Sequence, residues 1–212
     1  MGQACIYLVD DDDDVRQATQ YALEIAGYLV RTFAKPQDFQ AYAPNIKEGV
    51  LLLDMRMPEV SGLELQLWLK ENGYALPIVF ISGESQPIEI IEALKLNAVD
   101  FLLKPVPLTK LLEAVEKAFN LDARHQKVAS HESHVRQLWA GLTPREREVC
   151  HLMTKGYANR EIAELHLSAA ATIKLHRRRV LEKMQVNSLP ALVELFEGID
   201  WPHWLAPPAS KT

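Results

Sequence analysis

The chain has few cysteines, no long apolar run and no basic leader, and each absence removes a class of protein. Only Cys5 and Cys150 occur in 212 residues. Two distant cysteines cannot build a disulfide framework. Both lie in apolar contexts, so two buried thiols in a reducing compartment are expected. No apolar run approaches the roughly 20 residues that a helix needs to cross a bilayer. No positively charged segment leads into an apolar core at the N-terminus, so no signal peptide is expected. The expectation is a cytoplasmic protein with no membrane partner. Hydrophobic residues make up 48% and charged residues 24%, which argues against wholesale disorder. The length allows one large domain or two of common size.

The net charge of -5 hides an asymmetry. Residues 1–125 carry 19 Asp and Glu against 11 Lys and Arg, a balance of -8; residues 126–212 carry 9 against 12, a balance of +3. The basic second half is the candidate for a polyanion partner. The first half opens on "CIYLVDDDDDVRQ", five aspartates directly after an apolar run. Blocks of like charge are ordinarily solvated turns. A cation site is the sharper reading.

Four apolar runs, 4–9, 49–54, 77–82 and 99–104, suit strands buried on both faces. A mixed run at 28–33 makes a fifth. Helical spacing predicts helices over 15–27, 62–72, 87–97 and 108–120. Strand and helix alternate, which reads as a doubly wound α/β domain. In such sheets ligands bind at the carboxyl ends of the strands. The runs end in Asp10-Asp11, Asp54, Ser82 and Lys104-Pro105. Carboxylates brought to one edge repel unless a cation joins them, and oxygen-only ligands favour Mg²⁺ over zinc. A phosphoryl group would satisfy both the metal and the lysine.

These residues resemble the receiver domain of two-component response regulators. The resemblance rests on the acidic pair after the first strand, "LLLDMRMPEVSG", the serine ending the fourth strand, and "VDFLLKP", and covers roughly residues 4–120. It implies a flavodoxin-like fold with a parallel five-stranded sheet. It implies that Asp54 accepts a phosphoryl group from a sensor histidine kinase. Asp10, Asp11, Asp54 and the carbonyl of Arg56 would hold Mg²⁺. Ser82 and Lys104 would bind the phosphoryl oxygens, and Phe101 would be the aromatic switch. Singly, Ser82 is a turn residue, Lys104 a surface lysine and Phe101 a core residue; only the ordered set favours function. Asp12 would at most tune the site, and Asp13 and Asp14 are expected to cap the first helix.

Residues 122–141 read as a polar linker of helical character. His125, His131 and His134 fall at irregular spacing without cysteine, so a solvated linker outweighs a metal site. Residues 142–197 then show four short helical patterns. Thr143 and Glu146 form a capping box, with Pro144 at the first helical position. The third pattern, "SAAATIKLHRRRVLEKM", puts Ile173, Val180, Leu181 and Met184 on an inward face. Ala171, Lys174, Leu175 and Arg178 lie opposite, with Arg177, Arg179 and Lys183 flanking. A basic helix with a small apolar element suits the DNA major groove, although a solvated basic helix is the plain alternative.

"LTPRERE", "GYANREIA", "TIKLHRRRVLEKM" and "SLPALV" resemble the LuxR-type helix-turn-helix, so the whole chain resembles a regulator of the FixJ/NarL family. The resemblance implies base contacts from Lys174, Leu175 and Arg178 and phosphate contacts from Thr172, Arg177 and Arg179. It further implies promoter DNA, a phosphorylation-driven homodimer and RNA polymerase as partners, and no enzyme activity beyond self-phosphorylation and dephosphorylation. One departure stands out: His166 occupies the usual core leucine position, and Ser168 precedes Thr172 by four residues rather than three. Either the turn is rebuilt or a partly buried histidine replaces an aliphatic residue. Ser168 is expected to cap the next helix. The tail 198–212, with Trp201 and Trp204, is expected to dock briefly and then fray. Rival readings are a phosphatase using an aspartyl phosphate, a receiver working without phosphate, and an autoinducer-binding regulator. The first lacks the D-x-D-x-T/V spacing, the second should lack an acid or the lysine, and the third needs a ligand-enclosing N-terminal domain.

Overall fold

The computed structural model describes residues 5–83 and 86–199. The expectation for the tryptophan-containing tail falls almost wholly outside them. The chain divides after Lys127 into two compact units. The first is built on strands β1 (Cys5–Val9), β2 (Leu29–Phe33), β3 (Gly49–Asp54), β4 (Ile78–Ser82) and β5 (Asp100–Leu103). They form one sheet in the order β2-β1-β3-β4-β5, and every neighbouring pair is parallel. The helices between them are α1 (Asp13–Ile25), α2 (Pro36–Tyr42), α3 (Gly62–Glu71) and α4 (Pro87–Lys95), and α5 (Leu108–Ala140) follows β5.

Alternation along the strands explains why both faces are covered. Ile6, Leu8, Val50, Leu52, Val79 and Ile81 pack with Leu23 of α1 and with Leu111 and Val115 of α5. The intervening residues, among them Val9, Leu51, Leu53 and Phe80, pack with Phe39 of α2, Leu65 and Leu69 of α3 and Ala93 of α4. Truncating one such buried leucine to alanine costs about 2–5 kcal/mol. Helix α2 was not predicted: over seven residues it buries only Pro36 and Phe39, too few positions for a helical period to emerge. The cap of α1 also differs. Asp12, rather than Asp13 or Asp14, is the N-cap, and its carboxylate accepts from the N–H groups of Asp14 and Val15 at 3.0 and 3.1 Å. Asp13 and Asp14 fill the first turn, where negative charge favours the positive helix end.

Helix α5 runs past 120 through the segment read as a polar linker of helical character. Asp122 on it is buried and accepts from the N–H of Gly49 at 3.0 Å, and Gln126 donates to the carbonyl of Lys47 at 2.8 Å. These bonds tie the start of the segment read as a linker to the first unit, which extends to Lys127. Gly49 has φ +137°, and a Cβ there would lie 2.3 Å from the Cys5 carbonyl oxygen, so no side chain fits where β3 enters the sheet.

The second unit contains α6 (Pro144–Thr154), α7 (Asn159–Leu165), α8 (Ala170–Lys183) and α9 (Leu189–Leu195). The capping box of Thr143 and Glu146 is present. Val149, Met153, Ile162, Ile173, Val180, Met184 and Leu192 form its core, together with Val135 and Trp139 from the end of α5. Cys150 is also in this core, and burial pushes its thiol up to about 12, so it is chemically quiet. Ser168 is not the cap of α8: Ala169 is, with no side-chain bond. Lys183 differs from its expected place flanking the basic face. Its ammonium bonds the buried Glu146 carboxylate at 2.6 Å.

Burial pushes the Glu146 carboxyl up, but Lys183 and the Thr143 donors outweigh it and hold its pKa below the ordinary value. A depressed carboxyl stabilises the fold above its unfolded pKa, about 4.3, and that stability is lost as pH falls through the folded value. Glu146→Gln is therefore expected to cost about 1.5–3 kcal/mol at neutral pH. The difference from the unmodified chain should vanish in acid, as followed by thermal unfolding against pH.

Candidate functional site

Parallel strands place their carboxyl ends on one edge, and there the polar residues collect. Asp10 follows β1, Asp54 ends β3, Ser82 ends β4 and Lys104 follows β5. The register brings them together: Val9 pairs with Leu53, Asp54 with Ile81 and Ser82 with Leu103. The Lys104 ammonium donates to Asp10 Oδ2 and to Asp54 Oδ1, each at 2.8 Å. The two carboxylates are almost closed to solvent, with side-chain exposures of 3% and 7%. Their other oxygens accept backbone N–H groups, Asp10 from Asp12 at 3.0 Å and Asp54 from Arg56 at 2.8 Å. Gly62 closes the loop after β3 by donating to the Met55 carbonyl. A Cβ on Gly62 would lie 2.4 Å from the Asp54 carbonyl oxygen, so glycine lets α3 start against the site.

Two carboxylates share one ammonium, so the cluster keeps a net charge of about -1. Burial pushes the Asp54 carboxyl above its ordinary pKa. The Lys104 hydrogen bond and charge pull it back only in part, and Asp10 adds to the rise. Burial pulls Lys104 down, but its two carboxylates outweigh that and leave its pKa raised.

The remaining predicted residues take different places. Ser82 is buried, and its carbonyl accepts the Lys104 N–H at 2.8 Å. Phe101 is half-buried and stacks on Phe80 with centroids 5.8 Å apart. The Arg56 guanidinium lies 3.5 Å from Glu89 at the start of α4. Asp11 is exposed. Among the described residues no group of three or more His, Cys, Asp or Glu side chains is arranged to hold a metal; the ammonium, rather than Asp11, stands against the two buried acids. Arg16 was not foreseen. It donates to the Asp10 carbonyl at 2.7 Å and bonds Asp13, and its only signal is a position one helical turn beyond Asp13.

In the second unit, α8 buries Ile173 and Val180 and exposes Thr172, Lys174, Leu175, Arg178 and Arg179. Arg177 is half-buried, and its guanidinium donates to the Tyr157 carbonyl at 3.0 Å. Arg178 pairs with Glu182 at 2.8 Å on the surface, a contact that yields easily to another anion. His166 is half-buried, and Leu165 is exposed.

Two family profiles match this sequence. That of the response regulator receiver domain covers residues 6–116, and that of the bacterial regulatory proteins of the luxR family covers residues 140–196. The chain belongs to the response regulators of the FixJ/NarL family. It is 41% identical over 199 residues to the tetrathionate response regulatory protein TtrR of Salmonella typhimurium, covering 94% of this chain and 95% of that one. It is 34% identical over 191 residues to the transcriptional regulatory protein FixJ of Rhizobium meliloti, covering 90% and 93%. A solved structure of the response regulator StyR superposes with a TM-score of 0.82 at 36% identity, covering 92% of this chain and 99% of that one. The regulator is thus a receiver domain with a luxR-type DNA-binding domain, and the acidic edge lies within the receiver match. No helix among the described residues is long and apolar enough to cross a membrane.

A carboxyl whose folded pKa is raised penalises folding wherever it is ionised. The penalty is complete above the folded pKa and absent below the unfolded value of about 3.9. Asp54→Asn, which keeps the shape and removes the charge, is therefore expected to raise the unfolding temperature of the regulator at neutral pH. The gain should disappear as pH falls below about 4, as measured by calorimetry.

Proposed function

We propose that Asp54 is the phosphoacceptor of this regulator and that its phosphorylation by a sensor histidine kinase promotes dimerisation and promoter binding. The observation that carries this reading is the buried Asp54 carboxylate, hydrogen-bonded to Lys104 beside Asp10 at the sheet edge. A carboxylate oxygen of Asp54 attacks phosphorus in line as the bond to the kinase histidine nitrogen breaks. Lys104 then neutralises a phosphoryl oxygen, and the Ser82 hydroxyl donates to another. The pocket fits a hard divalent cation, since its donors are oxygens and it carries surplus negative charge. Asp10, Asp11, Asp54 and the Arg56 carbonyl would hold Mg²⁺, which supplies neutralisation of phosphoryl charge when bound.

Phosphorylation reweights conformations only through contacts that differ between them. Lys104 and Phe101 supply such contacts, Phe101 within β5 and Lys104 directly after it. The neighbouring surface carries Ile88, Ile91 and Leu94 of α4 and Leu103 of β5, all exposed. Pairing of this face in a dimer would cover them. Two copies of the basic α8 would then reach a two-fold related promoter site and position the regulator beside RNA polymerase.

Treatment with acetyl phosphate and Mg²⁺ should retard the regulator in a phosphate-affinity gel and shift it to a dimer on size exclusion. Asp54→Asn should abolish both changes. Asp11→Asn should weaken Mg²⁺ binding and abolish labelling; undiminished Mg²⁺-dependent labelling would defeat the metal assignment.

On DNA, Lys174→Ala or Arg178→Ala should each cost about 1–3 kcal/mol and relax preference at one or two base pairs. Thr172, Arg177 and Arg179 are assigned to phosphates and Leu175 to a base edge. Arg179→Ala should weaken binding to all sequences alike and flatten the salt dependence. Titrations at several salt concentrations check both, and the reverse pattern for Arg178 and Arg179 would mean that α8 is rotated.

A further inference from the structure

The turn between α7 and α8 has the backbone bonds of an ordinary helix stop but not the residues that usually favour it. Helix α7 ends in a pair of reversed bonds, Ser168 N–H to the Ala163 carbonyl at 2.9 Å and Leu167 N–H to the Glu164 carbonyl at 3.2 Å. This closure needs a left-handed residue, ordinarily glycine. Here Leu167 takes it at φ +48° while being 97% exposed, so it accepts the strain and gains no burial. Leu165 is 60% exposed as well. Helix α8 then begins after Ala169, which offers no side-chain cap.

What ties the turn down is a guanidinium from another helix. Arg145, in the first turn of α6, donates through Nη2 to the His166 carbonyl at 3.1 Å and to Ser168 Oγ at 3.2 Å. Its Nη1 donates to Glu148 Oε2 at 2.9 Å and meets His166 Nδ1. Ser168 Oγ in turn donates to the His166 carbonyl at 3.0 Å. A guanidinium only donates, so Nδ1 can bond it only as an acceptor; the same nitrogen lies 3.7 Å from Glu148 Oε2. Nε2 is buried without a hydrogen-bond partner among the described residues. His166 thus stands in a leucine position while gaining less from burial than leucine and leaving Nε2 unpartnered among the described residues.

We propose that Arg145 is a positioning residue for DNA recognition: with His166 in place of an apolar anchor, its guanidinium fixes the α7–α8 turn and so sets how α8 is presented. This rests on the reading of α8 as the DNA-contacting helix. Arg145 touches no DNA in this account, which separates it from the basic residues of α8. A leucine at 166 would restore apolar anchoring and make the clamp dispensable.

The test uses the full-length chain treated with beryllofluoride and Mg²⁺. The probes are a duplex selected from a random library by the unmodified chain and an unselected random duplex. Arg145→Ala should bind the selected duplex about tenfold or more weakly, with little change on the unselected one. The salt slope should be unchanged, because no phosphate contact is removed. Adding His166→Leu to Arg145→Ala should recover most of the loss. Hydrogen exchange at the Ser168 amide should quicken in Arg145→Ala relative to core amides such as Val180, and slow again in the double variant. Should Arg145→Ala not fold, Arg145→Lys keeps the charge and loses the fork, and the same outcomes are expected of it. Equal loss on both duplexes, a shallower salt slope, or absence of rescue by His166→Leu overturns the proposal. If the unmodified chain selects no duplex, the DNA reading fails, and the Ser168 amide alone decides whether the clamp exists.

Discussion

Two buried aspartates sharing one lysine set the terms for the receiver. An isolated buried carboxylate is costly, and a pair is worse. Lys104 makes Asp10 and Asp54 tolerable but leaves the cluster short of one positive charge. That shortfall is the chemical content of the site. It keeps the Asp54 carboxyl destabilised until some other charge arrangement replaces the present one. The sheet exists to hold this balance: the close approach at Gly62 and the buried β3 leave the three groups little freedom to move apart.

The same strand has a second attachment. Gly49 begins β3 and is bonded to Asp122 of α5; Asp54 ends it. Asp54 and α5 are thereby fixed to opposite ends of one six-residue strand. Burial pushes the Asp122 carboxyl above its ordinary pKa, against the Gly49 and Gln126 bonds that favour its charged form. It is the third buried acid of the receiver, after Asp10 and Asp54, that is kept in place by a particular donor.

The luxR-type unit solves a different problem. Four short helices cannot bury much, so polar ties between them matter more than in the receiver. Glu146 is fixed by Lys183, Arg147 donates to the carbonyls of Trp139 and Ala140 at the end of α5, and Arg145 holds the turn before α8. Arginine suits the last two tasks because its planar fork serves several acceptors at once. Several basic residues of this unit are therefore structural, and its positive charge overstates the surface offered to a polyanion.

The fold of the receiver, and the gathering of Asp10, Asp54, Ser82 and Lys104 at one edge of the sheet, were legible in the sequence, because continuous apolar runs and strand-end chemistry are local properties of the chain. Four apolar runs located four strands within a residue, and Asp10, Asp54, Ser82 and Lys104 were recognisable as strand-end residues. The capping box of Thr143 and Glu146 was legible for the same reason: its partners are three residues apart. What the sequence could not decide were contacts between residues far apart in the chain. Nothing local shows that Lys183 turns inward to a buried glutamate 37 residues away, or that Arg145 reaches the turn at His166. A basic residue on a helix reads the same whether it faces solvent, DNA or a buried acid. Helix α2 and the capping role of Asp12 were missed for the opposite reason: in a short or uniformly acidic stretch many assignments satisfy the same local rules, and only packing selects one.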